Sequence, residues 1–502
     1  MRLRTRIVPT ASGKRAVQVV SQEGKKLTIY KHIGSFTDLN EKLVLMENAQ
    51  TYIQKVTGQQ DALQYLTQRQ VFEQIDITDS RPLFAYRLFF SLYDKLGFNT
   101  YDDAIIKDLV IARLYKPSSK LAAQEILSDT FSINYSIKTI YRHMSSALKA
   151  GIQTVYQQAL VDFACSTLGD DLHLVFYDVS TLYFDSQLKS ELKDFGFSKD
   201  HRPADTQVVV GLVVNKQGFP LYFDIFPGNS FEGHTFIPIV LKLKELLNEP
   251  DLVVVADAGM LSRVNLSDLD AAGVQFVIGA RLANLPIKDL TVITKILNKQ
   301  SGAVTETTYR MPSGSYRLIA SYSQKRANKD RRTREKATER AKKIIASPAI
   351  VSSRYRFVKK TDDKTRYELN QSLINKAKQL EGVKGYVTNT NLDATLIMKR
   401  YRDLWRIERA FRISKSDLMA RPMYHKLDES IKAHICLVFA SLAITKFIEI
   451  ETGLSHKRII AVCSKLLTHT VINTTTGESI EKETKLMNSD TMAVLDKLKA
   501  LM

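Results

Sequence analysis

The order of apolar runs between residues 171 and 280 constrains this chain more than any other feature. LHLVFYDVSTLYF reads as a strand rich in Val, Tyr, Phe and Thr, and QVVVGLVV and FPLYFDIF read as two more. The short turn Asn215-Lys216-Gln217-Gly218 joins the second and third as a hairpin. A helix over HTFIPIVLKLKELLN follows, then a buried strand DLVVVAD, a helix around SRVNLSDLDAAG and the strand VQFVIGA. The order β-β-β-α-β-α-β feeds an antiparallel meander into parallel strands through helical crossovers. A dinucleotide-binding sheet would alternate strand and helix from its start and carry a Gly-rich first turn, and neither is present.

This is the element order of a ribonuclease-H-like α/β domain with a mixed sheet, in which the first strand lies at the centre beside the fourth. Two carboxylates then become telling. Asp178 lies within the first strand between Tyr177 and Val179, where its charge is desolvated and its side chain competes for the backbone. Asp257 ends the fourth strand after Val253, Val254, Val255 and Ala256, where open α/β sheets place ligands. If the two strands are neighbours the carboxylates converge and repel, and a divalent cation is the usual relief. Taken singly, Asp178 also reads as a strand residue satisfied by Ser180 or Thr181, and Asp257 as a turn or N-cap residue.

A third carboxylate sits on the stretch from Asn391 to Pro422, which reads as one long helix capped by Asp393. Ile397, Tyr401, Leu404, Glu408, Phe411 and Lys415 recur at steps of three and four and share one face. Glu408 interrupts that apolar stripe, with Leu404 and Trp405 a turn behind and Phe411 a turn ahead. Alone, it is either an edge residue paired with Arg412 or a functional group. Together, Asp178, Asp257 and Glu408 make three hard oxygen donors suited to one or two Mg²⁺ (or Mn²⁺) ions, as phosphoryl transfer requires.

The rest of the chain divides by texture. Residues 1–36 alternate like a β-meander, and 37–165 carry helical spacing that suits a DNA-binding or dimerisation domain. Arg113, Lys116, Lys120, Lys138 and Arg142 are its candidate phosphate contacts. The catalytic domain spans 166–285 and resumes at 383–450, with 286–382 as a strand-containing insertion and 451–502 as a tail. Within the insertion, residues 325–343 hold ten Lys/Arg against three acids, which suggests a basic helix that presents Lys325, Arg326, Arg331, Arg332 and Arg334 to DNA phosphates. The net charge of +19 and pI of about 9.5 favour a polyanionic partner. Cys165, Cys436 and Cys463 form neither a disulfide framework nor a zinc motif and read as small core residues. The basic N-terminus has no apolar signal region, and the run Ile435 to Ile444 is too short to cross a bilayer. A cytoplasmic protein associated with DNA is expected.

YDVSTLYF at 177–184, ADAGMLS at 256–262 and YRDLWRIERAFRISKSDLMARPMYH at 401–425 resemble bacterial insertion-sequence transposases of the DDE type. The similarity is to the group with a Tyr-Arg-Glu-Lys signature, and it extends over roughly 170–445, with FPGNSFEGHTF at 226–236 also familial in texture. The resemblance implies Asp178, Asp257 and Glu408 as the metal-binding triad, holding two ions. Tyr401 and Lys415 match the signature's Tyr and Lys, placed seven residues either side of Glu408 to donate to phosphates of one DNA strand. The signature's Arg falls at Leu404; Arg402 and Arg406 point elsewhere on the helix, and Arg412 faces nearer the site. That departure puts in doubt any step in which the Arg holds a strand end, a hairpin intermediate included. The implied activity is binding of double-stranded DNA at terminal inverted repeats, metal-dependent cleavage at each end, and joining of the 3′-OH to target DNA by a homodimer. The alternatives are a ribonuclease-H-fold nuclease without strand transfer and a non-catalytic DNA-binding derivative.

Overall fold

One eight-stranded mixed sheet organises most of the fold. The computed structural model describes residues 3–11, 13–24, 26–57, 75–199, 202–247, 249, 251–311, 314–346, 355–361, 366–485 and 488–502. In chain order, β1 (Leu3–Pro9), β2 (Arg15–Glu23) and β3 (Lys26–Phe36) form the expected antiparallel meander, followed by α1 (Leu39–Thr57). Val17 and Val19, on one face of β2, are buried with Leu3, Phe36 and Ala49. β4 (Ile75–Arg81) departs from the all-helical reading of 37–165, because it finds its partner strand at residues 468–473, far along the chain.

Five helices follow: α2 (Leu83–Lys95), α3 (Ala104–Tyr115), α4 (Lys120–Phe131), α5 (Ile137–Lys149) and α6 (Ile152–Ser166). Asp103 caps α3, accepting from Ile105 N at 2.9 Å and Ile106 N at 3.1 Å. Asp108 is buried on α3 and accepts from the hydroxyls of Tyr86 at 2.6 Å and Tyr135 at 2.8 Å, which satisfies its charge.

The next segment forms β5 (Leu174–Tyr183), β6 (Gln207–Asn215), β7 (Pro220–Pro227), α7 (Glu232–Leu247), β8 (Val253–Ala256), α8 (Arg263–Ala271) and β9 (Gln275–Ala280), in the order read from the sequence. Then come α9 (Ile287–Leu297), β10 (Val304–Met311), β11 (Gly314–Tyr322), α10 (Gln324–Ile345), β12 (Val358–Lys360), β13 (Tyr367–Leu369), α11 (Gln371–Gln379) and β14 (Val383–Thr388). The large sheet runs β10-β11-β14-β9-β8-β5-β6-β7. β5 pairs in parallel with β8 and antiparallel with β6, as the strand order requires. The stretch 286–382 does not stand apart, because β14 pairs with β9, and β11 and β10 continue the sheet from it. α9 also stays outside the sheet, as do α10, β12, β13 and α11, the last four around a small core of Ala341, Phe357, Val358 and Ile374.

The helix expected over 391–422 is two helices and a π turn. α12 (Ala394–Arg402) starts at its Asp393 cap, which accepts from Thr395 N at 2.7 Å, and α13 (Trp405–Arg412) runs into a π turn at Ile413–Asp417. No Gly or Pro causes the break at Asp403 and Leu404. There Arg406 N bonds to Asp403 O at 3.0 Å and Ile407 N to Leu404 O at 3.2 Å, three-residue bonds that tighten the turn. The tightening lets α12 pack on β8 and β9 while α13 packs on β5 and β6.

α14 (Asp428–Thr452) is buried from Ala433 to Ile448, with Phe439 against Phe223 and Phe447 against Phe163. It is long and apolar enough to cross a membrane, further than the run Ile435 to Ile444 suggested, but 89% of its most apolar window lies inside the protein. α15 (His456–Cys463), β15 (Thr468–Asn473), β16 (Ser479–Glu483) and α16 (Ser489–Lys499) complete the chain. Contacts divide the chain into two compact units, Met1–Ser80 with Thr468–Glu483, and Arg81–Leu467 with Thr484–Met502. The boundary therefore falls near residue 80, not at 36 and 165. α2 to α6 share one core with the large sheet because α14 packs on α3, α5, α6 and β7. Of the three cysteines, Cys436 and Cys463 are buried while Cys165 is exposed, contrary to its reading as a core residue.

Candidate active site

The last parallel pair between β5 and β8 is Tyr177 with Ala256, so the next residues, Asp178 and Asp257, are neighbours at the C-terminal end of β8. The carboxyl of Asp178 is pushed up to about 6. Burial is the main cause, the charges of Asp257 and Glu232 add to it, and Lys199 and the Val179 N–H oppose it. Val179 N donates to Asp178 Oδ1 at 2.8 Å; the hydroxyls of Ser180 and Thr181 do not serve it. Asp257 is exposed and caps a short 3₁₀ turn, with Gly259 N donating to Oδ1 at 2.6 Å. A capping role and a ligand role are thus compatible, since the second oxygen remains available. Two hard oxygen donors whose mutual repulsion is incompletely relieved fit a divalent cation.

Several residues that sequence reasoning missed support this edge. Lys199 Nζ donates to Val179 O at 2.6 Å and pairs with Glu232 at 2.9 Å. Arg281 donates to Ala258 O at 2.7 Å and Gly259 O at 3.0 Å, holding the turn after Asp257. Both lie in polar loops or strand ends, where residue type alone gives no pointer to a site 20 or more residues away.

Tyr401 does not face outward along DNA. Its ring is buried, edge-on to Tyr386 at 4.9 Å, and its hydroxyl lies over Gly279, where an added Cβ would overlap it and come within 3.0 Å of Ala258 N. Burial first, then the charge of Asp257, raises its phenol. Lys384 Nζ sits 4.2 Å from the Tyr401 ring centroid. Its ammonium is lowered to about 8, chiefly by burial and also by Arg326, while Glu408 opposes the change. Lys384 therefore joins Tyr401 to the neighbourhood of Glu408, a link absent from the sequence reading.

Glu408 is exposed on α13, outside the apolar stripe where helical phase places it. The break at 403–404 resets the phase, and the buried face is Tyr401, Leu404, Ile407, Ala410 and Phe411, with Trp405 turned outward. Among the described residues no three His, Cys, Asp or Glu side chains are grouped closely enough to hold a metal ion. The structure thus brings Asp178 and Asp257 together and leaves Glu408 outside that pair, within electrostatic reach of Lys384. Lys415 is half-buried in the π turn, and Arg412 is exposed at the end of α13. Arg402 is exposed, whereas Arg406 reaches Gln217 O at 3.4 Å.

Among the α10 cations, Lys325 and Arg332 are exposed, and Arg326 pairs with Asp330 at 3.5 Å while acting electrostatically on Lys384, Tyr386 and Tyr401. Arg331 lies 3.6 Å from Glu381, and Arg334 bonds the same carboxylate at 2.7 Å with its side chain only 15% exposed. Arg334 is a strut between α10 and the start of β14 and does not face solvent as expected. Lys116, Lys138 and Arg142 are exposed, but Arg113 and Lys120 are buried, which removes both from the outer surface.

The sequence matches the family model described as Transposase DDE domain over residues 179–444. The chain belongs to that family. The matched span covers β5 to α14, includes Asp257 and Glu408, and opens one residue after Asp178. Among solved structures, this transposase-family chain is similar to the piggyBac transposase synaptic complex with hairpin DNA, at 9% identity and a TM-score of 0.40 over 77% of this chain and 79% of that one. No curated protein sequence matches the chain.

Proposed function

We propose that this chain is a DNA transposase that cuts at the terminal inverted repeats of its own insertion sequence and joins the freed 3′-OH ends to target DNA. The observation that carries the reading is the neighbouring pair Asp178 and Asp257 on parallel strands within a transposase DDE domain. The sheet is read as ribonuclease-H-like on the order and pairing of β5 to β9. Asp178 and Asp257 would hold Mg²⁺ or Mn²⁺, with Glu408, on the helix docked over β5 and β6, as the third donor. The cation supplies stabilisation of the charge that builds on the phosphodiester oxygens.

The chain's own residues do the rest. Lys199 and Val179 N–H keep part of the Asp178 population ionised against burial and repulsion. Gly259 N–H fixes one Asp257 oxygen, and the other is the one that would serve the cation. Tyr401 acts as a wall between α12 and the sheet, and Lys384, Arg326 and Arg412 are the phosphate donors nearest in role to the signature's basic residues. Lys325, Arg331, Arg332 and Lys415 extend that basic surface. Two element ends must be handled together, which calls for a homodimer on DNA in the cytoplasm.

The test uses a labelled linear DNA that carries one element end, a supercoiled plasmid and Mg²⁺. Wild type gives plasmid joined to the labelled end, and Asp178→Asn gives neither cleaved nor joined product. Cleavage without joining marks a nuclease, and DNA binding without either product marks a non-catalytic binder; both outcomes overturn the proposal.

A further inference from the structure

Arg113 and Lys120 are both about 97–98% buried, with 2% and 3% of their surface exposed, and two desolvated cations need compensation. Arg113 finds it in part, donating through Nη1 to Leu418 O at 2.7 Å and Met419 O at 3.3 Å and through Nη2 to Ser118 O at 3.0 Å. Its Nε has no partner. No acid pairs with Lys120 among the described residues, and burial, with Arg113 beside it, holds its ammonium well below the usual range. His425 and His434 lie next to them, their rings tilted at 57° with centroids 4.9 Å apart. His434 is 6% exposed and neither ring nitrogen has a hydrogen-bond partner, although the Ala420 backbone favours its charged form. Burial first, then Lys120 and Arg113, lowers His425 to about 3.

Lys120, His425 and His434 border a cavity of about 490 Å³ whose wall also includes Ser118, Ser119, Tyr141 and Arg421, with Arg113 behind it. Among the described residues no acidic side chain lines it. The first turn of the twelve-residue helix α4, capped by Ser119, also belongs to the wall, and its N–H groups add partial positive charge. A buried ammonium, an imidazole with no hydrogen-bond partner and a helix N-terminus in one cavity lack one thing, an anion with several acceptor oxygens. We propose that this cavity is a phosphate-binding site, with Lys120 and His434 as its buried donors. A DNA backbone phosphate and free inorganic phosphate share that chemistry. Neither Asp178, Asp257 nor Glu408 lines the cavity, so the site is independent of the proposed cleavage chemistry.

The experiment is thermal unfolding of the full chain against inorganic phosphate, with ionic strength held constant by NaCl. Wild type shows a saturable rise in unfolding temperature. Lys120→Met unfolds no lower than wild type without phosphate, since a desolvated cation has been removed, and it loses the rise. Lys120→Gln serves as the second variant and loses at least tenfold in phosphate affinity. A wild type indifferent to phosphate, or variants with an unchanged rise, overturns the proposal. Binding of a short DNA duplex then separates the sources: if the phosphate belongs to DNA, inorganic phosphate weakens duplex binding by wild type but not by Lys120→Met. If the site takes free phosphate, the two proteins bind the duplex alike while only wild type keeps the thermal rise.

Discussion

Burial lifts the Asp178 carboxyl to about 6, with Asp257 and Glu232 adding to the rise, and the sign of its effect on stability follows. A carboxyl raised above its ordinary 3.8 contributes stability that is complete below about pH 4 and is lost as pH rises through about 6. At pH 7.5 in metal-free buffer the penalty is on the order of 2–3 kcal/mol. Asp178→Asn is therefore more stable than wild type at pH 7.5 by about that amount in urea unfolding, with the difference vanishing near pH 4. Equal stabilities at both pH values would show that Asp178 is not the strained group. Gly279→Ala is the second test at this scale. The new methyl overlaps the Tyr401 hydroxyl and crowds Ala258 N, so it should cost about 1–3 kcal/mol and displace the residue beside Asp257. Adding Tyr401→Phe should recover part of that loss; no recovery would mean that the backbone contact alone sets the cost. Asp178 and Asp257 were legible in the sequence because a charge inside an apolar strand and a charge at a strand end stand out against their neighbours. Lys384 was not, since a lysine in VKGYVTNT looks like any solvent-facing strand residue until Tyr401 and Glu408 are placed around it.

The helices and strands differ in how far local sequence decides them. β5 to β9 are continuous apolar runs bounded by turns, and their order alone placed β5 beside β8. β10 and β11 carry the same local signal, but the pairing of β11 with β14 is a relation between residues some 65 positions apart, which periodicity does not encode. The stretch 391–422 shows the opposite failure. Its spacing is continuous, no breaker interrupts it, and the tightening at Asp403–Leu404 arises from docking on two different strand pairs. Seven-residue spacing therefore did not keep Tyr401, Glu408 and Lys415 on one face. α13 is anchored from behind by Glu449, which accepts from Lys446 at 2.7 Å and pairs with Arg409. Lys446 is only 4% exposed, so Glu449→Gln strands a buried cation and should cost about 3 kcal/mol in equilibrium unfolding. Lys446→Met combined with Glu449→Gln should cost less than Glu449→Gln alone; a larger loss would show that Lys446 stabilises by something other than this pair.

Across the whole molecule, the excess of 72 Lys/Arg over 53 Asp/Glu is spent unevenly. Composition predicted a polyanionic partner but could not say which cations are struts. Arg334 holds Glu381, Arg113 holds the carbonyls after the π turn, and Lys325 and Arg332 remain on the exposed face of α10. Lys325→Ala and Arg332→Ala should each weaken DNA binding about equally for all sequences and reduce the salt slope by about 1. Arg334→Ala should lower stability and leave that slope nearly unchanged; a reduced slope would return Arg334 to the DNA-facing set. Three carboxylates carry the proposed chemistry, of which the fold pairs two and leaves Glu408 exposed on a docked helix. The most direct measurement is Mg²⁺-dependent cleavage of end-containing DNA by wild type, Asp257→Asn and Glu408→Gln at matched DNA occupancy. Both variants should bind DNA and lose cleavage by about 10²–10³-fold, the scale expected when a group that stabilises the reacting charge is removed. A Glu408→Gln protein that cuts as fast as wild type would contradict that chemistry.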